Sequence, residues 1–191
     1  MKIRAAIPQD AAAIAAIYAP YVTGSSVSFE MSPPDTAEMG HRMEAGSGLY
    51  PWFVAEEDEG GALIGYAYAT QFRPRPAYHY AVETSVYVDP AHQGRGAGRM
   101  LYEILIRTLE KQRFAQAIAA ITLPNDASVK LHEALGFTSA GVYRQIGYKG
   151  GRWLDVGLWQ RALAPATNPP TKPVKWADLN GDRPAAPIPL R

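Results

Sequence analysis

The 191-residue sequence has no cysteine. That excludes a disulfide, a thiol nucleophile and a cysteine-ligated zinc site, and it fits a reducing compartment. An excess of either charge is lacking too. The 19 basic and 18 acidic residues leave a formal +1, which predicts no basic face for nucleic acid. No apolar run approaches the ~20 residues of a membrane-spanning helix, so no membrane partner is expected. The N-terminal MKIRAAIPQD lacks the continuous apolar core of a secretion signal, and the expected location is the cytoplasm. His41, His79 and His92 show no metal-ligand spacing, so no metal is expected. The length suits one domain, whose core buries roughly 70% of the unfolded chain's surface.

Glycine and proline punctuate what is there. A short strand over 2–5 precedes Asp10, which stands at the N-cap position of a helix. In that helix Ile14, Ile17, Tyr18 and Tyr21 recur at helical spacing and are expected to face a core. Pro33 and Pro34 lead into a second helix over 36–45. Residues 52–56 and 62–71 read as strands joined by a hairpin turn at Gly60-Gly61. Arg73-Pro74-Arg75-Pro76 interrupts the pattern, because proline donates nothing to a sheet ladder. A strand over 80–88 ends at Asp89-Pro90. A helix over 97–112 carries Met100, Leu101, Ile104, Leu105 and Leu109 on one face. Then come a strand over 115–123 and a short helix over 125–135 stopped by Gly136. Strands over 141–146 and 153–160 follow, around a turn with Gly147, Gly150 and Gly151.

Seven of the 16 prolines fall within 165–189. A domain over 1–163 is therefore followed by a tail over 164–191, expected to be extended and poorly ordered by itself. Trp176 and Leu179 are available to dock it on the body or on a neighbouring subunit. The order of elements predicts an α+β fold with a mixed, largely antiparallel central sheet flanked by helices.

The segment VETSVYVDPAHQGRGAGRMLYEIL holds the strongest chemical signal. Its loop, with Gly94, Gly96 and Gly98, runs into a helix N-terminus at Ala97, where free amides and the helix dipole attract an anion. Arg95 and Arg99 add charge-assisted donors. Three phosphate-binding patterns compete for this loop. A Walker loop ends in Gly-Lys-Ser/Thr, where this chain has Gly98-Arg99-Met100. A dinucleotide fingerprint needs glycine where Arg99 stands. The third pattern, Gln/Arg-x-x-Gly-x-Gly/Ala, is met by Gln93, Gly96 and Gly98, and it is that of the GNAT superfamily of N-acetyltransferases. LPNDASVKLHEALGF, at 123–137, resembles that superfamily's second motif and stands in the family's order. With YPWFVAE and GYKGGRWLDVGLWQR, these segments resemble the branch that acetylates phosphinothricin and methionine sulfoximine. The likeness spans about residues 1–163.

The resemblance implies a GNAT-type fold, acetyl-coenzyme A as co-substrate, a small-molecule amine as acceptor and a homodimer. A free amine is mostly protonated at neutral pH and must lose a proton before it attacks a thioester. Glu83, on the strand entering the glycine loop, is the expected base and matches the family's proposed one. Alternation puts it on one face with Ser85 and Tyr87. The resemblance further implies that backbone at Val86, Tyr87 and Val88 pairs with the pantetheine arm, and that Gln93 to Arg99 hold its phosphates. It also implies that Asn125 bonds the arm; asparagine at that place is equally a helix N-cap. Many superfamily members carry tyrosine where His132 stands, which leaves two roles open to His132: protonating the leaving sulfur, or ordering the site. Tyr102 and Tyr143 are weaker candidates for the acid.

Arg73 and Arg75 point to the acceptor, since arginine forks match carboxylate, phosphinate and sulfone oxygens. Thr84 and Ser85 complete the expected substrate contacts with Glu83, and Phe29, Tyr78 and Tyr80 are available to shape a pocket. The expected reaction is acetylation of phosphinothricin, methionine sulfoximine or methionine sulfone. Another small amine, a peptide N-terminus and a non-catalytic coenzyme A sensor are the alternatives.

Overall fold

The computed structural model describes residues 1–46, 48–58 and 61–180. Gly60 of the expected hairpin turn and residues 181–191 of the tail lie outside them. Seven strands form one sheet: β1 (Lys2–Ala5), β2 (Trp52–Glu56), β3 (Leu63–Gln71), β4 (Ala81–Val88), β5 (Gln116–Leu123), β6 (Thr138–Lys149) and β7 (Arg152–Ala162). Their order across the sheet is β1-β2-β3-β4-β5-β7-β6. Every neighbouring pair is antiparallel except β4 with β5.

The helices are α1 (Ala11–Thr23), α2 (Thr36–Ala45), α3 (Ala97–Lys111), α4 (Asp126–Ala134) and a short α5 (Trp176–Asn180). None among the described residues is long and apolar enough to cross a membrane. α3 carries the expected apolar stripe. Leu101, Ile104, Leu105 and Leu109 are buried against Phe53, Val82 and Ala117 of the sheet, and Met100 packs at the margin. α1 covers the opposite face, where Ile14, Ile17 and Tyr18 meet Trp52, Val54 and Tyr66. The sheet is thus a partition with one core on each side.

Asp10 stands before α1 as expected, but its side chain does not cap that helix. Its carboxylate accepts from Ile7 N at 2.8 Å and takes both arms of Arg4, at 2.7 and 2.8 Å. It closes the 3-10 turn Pro8–Asp10 and ties that turn to β1. Gly147, expected in the hairpin turn, lies within β6.

The tail is docked through residue 180 rather than loose. Gln112 is fully buried, and its amide donates to Leu49 O at 2.6 Å and Val174 O at 2.9 Å. Val174 N donates back to Gln112 O at 2.8 Å, and the Trp176 ring meets Phe53 edge-on at 5.3 Å. One buried amide replaces the ladder that a proline-rich segment cannot make. Leu179 stays more than a third exposed.

Candidate active site

The sheet opens at β4. It pairs with β5 only at residues 81–83, against 116–118, and beyond that the two parallel strands diverge. The cleft between them is lined by residues 84–87, residues 119–122, Val27 and, from the α4 side, Asn125, Ser128 and His132.

Alternation along β4 decides which backbone groups enter the cleft. In an antiparallel ladder every second residue bonds to the neighbouring strand. Asp89 N donates to Ile64 O at 2.8 Å, in phase with the pairs Tyr66–Tyr87, Tyr68–Ser85 and Thr70–Glu83. These odd-numbered residues spend their backbone on β3. The amides of Val86 and Val88 face the open side, as a bound thioester and its arm require. Tyr87, expected to share that task, faces the other way along its backbone. Its amide belongs to the β3 ladder, and its ring packs on Tyr18 at 4.9 Å and Tyr21 at 5.1 Å.

The loop after β4 is built to hold an anion. Gly94 (φ 76°) and Gly96 (φ 85°) sit in the left-handed region, and a Cβ at either would meet nothing within 4 Å. Their requirement is conformational, and the space beside them is free for a ligand. Gly96 caps α3, whose first residue, Ala97, is buried. Gly98 serves packing instead: a Cβ there would lie 3.4 Å from Val88. Arg95 approaches Glu57 at 3.8 Å and Arg99 bonds Glu103 at 2.8 Å, yet their side chains remain 64% and 61% exposed. They can turn to phosphate without uncovering core.

Gln93 is committed elsewhere, because its Nε2 donates to the Tyr21 hydroxyl at 2.8 Å and that hydroxyl donates to Val88 O. Tyr21 therefore joins α1 to the glycine loop, whereas its spacing in the sequence signals only core. Asn125 Oδ1 accepts from Ser128 N at 3.2 Å and caps α4. Its amide group has no hydrogen bond among the described residues and remains available to the arm.

Glu83 faces the other side of the sheet. It is half-buried, and burial raises its carboxyl above the ordinary value, while the nearby Arg73 charge pulls it back. Arg73 itself lies over the Phe72 ring at 5.1 Å. Arg75 is exposed and makes no ion pair among the described residues. Of the two arginines, only Arg73 acts by its charge on the Glu83 carboxyl. The aromatics expected to shape a pocket scatter: Tyr78 packs on Phe72 at 5.7 Å, and Tyr80 lines a separate cavity beside the tail. Phe29 lies against Gly147.

Thr84 and His132 meet on the α3 side. Thr84 is buried, and its hydroxyl donates to Ile118 O at 3.2 Å, bridging β4 to β5 where their ladder ends. Its side chain is therefore turned away from the Glu83 face, and any contact with an acceptor there falls to its backbone. The fully buried Tyr102 hydroxyl lies 2.9 Å from Thr84 Oγ1 and 3.0 Å from His132 Nε2. His132 Nδ1–H donates to Ser128 O at 2.7 Å. Burial lowers the His132 pKa, so the ring is neutral at pH 7 with its one N–H already engaged. Tyr143 is far from this network, exposed on β6.

The family model described as an acetyltransferase (GNAT) domain matches residues 3–158. The phosphinothricin N-acetyltransferase of Streptomyces viridochromogenes is 43% identical over 175 residues, covering 91% of this chain and 94% of the relative. The L-methionine sulfoximine/L-methionine sulfone acetyltransferase of Salmonella typhimurium is 40% identical, covering 85% and 95%. Among solved structures, a GNAT superfamily phosphinothricin acetyltransferase from Sinorhizobium meliloti, in complex with acetyl-coenzyme A, superimposes with a TM-score of 0.84 at 41% identity. That match covers 90% of this chain and 92% of the other. The matched span includes the strand that opens away from its parallel neighbour and the glycine loop that follows it, and the chain belongs to the GNAT family of acetyl-coenzyme A-dependent acyltransferases.

Proposed function

We propose that the enzyme transfers acetyl from acetyl-coenzyme A to the amino group of phosphinothricin, methionine sulfoximine or methionine sulfone, by direct attack. The observation that carries this reading is the half-buried Glu83 carboxyl at the point where β4 leaves β5, raised by burial and close enough to Arg73 for that charge to oppose the rise. A proton acceptor and a cation able to hold an anionic acceptor are thereby within electrostatic reach of each other, next to the residues that line the cleft. Arg73 holds the acceptor's acidic group, with Arg75 on the same loop and Ser85 beside Glu83. Ionised Glu83 takes one proton from the acceptor ammonium, directly or through one water. The nitrogen lone pair then bonds to the thioester carbon, and the Val86 and Val88 amides hold the oxygen as it gains charge. The C–S bond breaks, and the second nitrogen proton ends on the departing sulfur. The hydrogen bonds of His132 favour its ordering role, because its single N–H is held by Ser128 O.

A coupled assay of coenzyme A release tests the acceptor. Turnover is expected with the three amino-acid analogues and not with spermidine, a peptide or an aminoglycoside. Turnover confined to the cationic acceptors would overturn the assignment.

The same reading includes a homodimer formed through β6. That strand is the outer edge of the sheet, and Val142, Tyr143, Ile146 and Tyr148, with Trp153 on β7, are exposed along it. An apolar sheet edge invites self-complementary pairing with a second copy. Light scattering should give twice the chain mass, and Ile146→Glu should halve it. A monomer at every concentration would refute the dimer. Use of acetyl-coenzyme A accords with the expected cytoplasmic location.

A further inference from the structure

Residues 24–35, between α1 and α2, lie over the Glu83 face of the sheet. Val27 lines the cleft. Tyr68, opposite Ser85 in the ladder, is close enough to feel the charges of both Glu83 and Glu30. Tyr18, whose hydroxyl meets Ser28 and Glu30 of the loop, packs edge-on against Tyr87, on the same face of β4 as Glu83.

The loop has two anchorages. The first is on its own side of the sheet. Glu30 accepts from the Tyr18 hydroxyl at 2.9 Å and from Arg42 at 2.7 and 3.1 Å. The second crosses the open sheet to the hairpin of β6 and β7. Lys149, the last residue of β6, donates to Val22 O at the end of α1 and to Ser28 O in the loop, both at 2.7 Å. Two residues earlier Gly147 receives Phe29. A Cβ on Gly147 would lie 2.1 Å from the Phe29 ring, so a side chain there displaces the aromatic. Arg152 Nη2 reaches Ser26 Oγ at 3.4 Å.

An ammonium that spends its donors on two backbone carbonyls is fixing a path of the chain. The Lys149 charge helps hold Glu30 below the ordinary carboxylate value, after the larger effect of Arg42. The hairpin belongs to the half of the sheet beyond the cleft, and α1 to the half before it. Lys149 therefore spans the opening.

We propose that Lys149 and Gly147 form a latch that holds residues 24–35 across the open sheet and thereby sets acceptor binding, leaving acetyl-coenzyme A binding unchanged. The acceptor side of this statement rests on the Glu83 reading. Lys149 lies outside the glycine loop and the cleft lining, and it acts as a positioning residue.

The test is Lys149→Met, which keeps the stem and removes the charge. The acceptor KM should rise about tenfold, the scale of one charged hydrogen bond, with little change in kcat. The acetyl-coenzyme A dissociation constant, measured by calorimetry without acceptor, should stay within about twofold of the parent's. Gly147→Ala should give the same split, and adding Phe29→Leu to it should restore part of the loss, a coupling that general damage to the fold does not produce. Hydrogen exchange supplies a readout that needs no acceptor: amides of residues 24–30 should lose protection in Lys149→Met while those of α3 keep theirs. If the parent turns over no acceptor, the proposed acceptor class fails, and exchange still decides the latch. Unchanged protection at 24–30, or an equal weakening of both substrates, overturns it.

Discussion

The two faces of β4 use the same eight residues to opposite ends. On the α3 face Val82 and Thr84 are buried, and the one hydroxyl is joined to Ile118 O, Tyr102 and, through Tyr102, to His132. On the α1 face Glu83 has no hydrogen-bond partner among the described residues, and burial shifts its proton affinity upward. The first face satisfies a polar group and stabilises the place where the sheet opens. The second leaves a titratable group under-solvated, the condition in which a carboxylate becomes a useful base near neutral pH. A period of two is enough to keep the hydrogen-bonded group and the titratable one apart.

The largest expected effect falls on the α1 face. Glu83→Gln should lower kcat by roughly 10²- to 10⁴-fold, the usual contribution of a positioned base, while acetyl-coenzyme A affinity stays unchanged by calorimetry. Full turnover in that variant would break the comparison, because the two faces would then differ in solvation only.

The matching change on the α3 face should act on stability first. Tyr102→Phe removes the hydroxyl between Thr84 Oγ1 and His132 Nε2 and leaves a buried acceptor without a donor, at a cost of about 1–3 kcal/mol. The denaturant midpoint reads it. Thr84→Val should couple to Tyr102→Phe in a double-mutant cycle, since both atoms belong to one network. Additive losses would mean the network is four separate contacts.

How much of this was legible in the sequence follows from the range over which each signal acts. Strand and helix periods are local, and α3, α2 and β2 lie within a residue of where their patterns end. β6 runs from Thr138 to Lys149, well beyond the expected 141–146. As an exposed edge strand it has no buried face to impose an alternating pattern. The place of Glu83 on the strand entering the glycine loop follows from the same local pattern; its role as base is a proposal. The Thr84 side chain and the Tyr87 amide turn away from their neighbours' groups, because a contiguous run of candidate residues on a strand is split by its alternation. Tyr21 and Lys149 depend on partners 67 and up to 127 positions away in the chain, and no local pattern announces such a contact. Trp176 offers the tail a dock on the body, but its other anchor, Gln112, stands some 60 residues earlier, beyond the reach of a local pattern.

A smaller effect separates the two causes acting on Glu83. Burial raises its pKa and Arg73 opposes the rise. The base works ionised, so kcat/KM should fall as pH drops through that raised value. Arg73→Gln removes the opposing charge and should move this acid limb to higher pH, measured with saturating acetyl-coenzyme A. An unmoved limb would place the Arg73 charge too far away to act, and the α1 face would owe its titration to burial alone.

The smallest effect is in the pH dependence of folding, where the two faces should differ in sign. Glu83 has a folded pKa above its unfolded one, so its contribution is full below the unfolded value of about 4.5 and is lost as pH rises through the folded pKa. Glu83→Gln should therefore raise Tm slightly at pH 7. His132 has a folded pKa below its unfolded one, because burial disfavours the imidazolium. Its contribution is present above about 6.5 and is lost as pH falls toward the folded value. His132→Gln should flatten the acid side of the Tm profile, whatever it costs in packing. Profiles that move in the same direction would mean that one of the two groups titrates in water, and the face it lies on would lose its claim to a buried, shifted side chain.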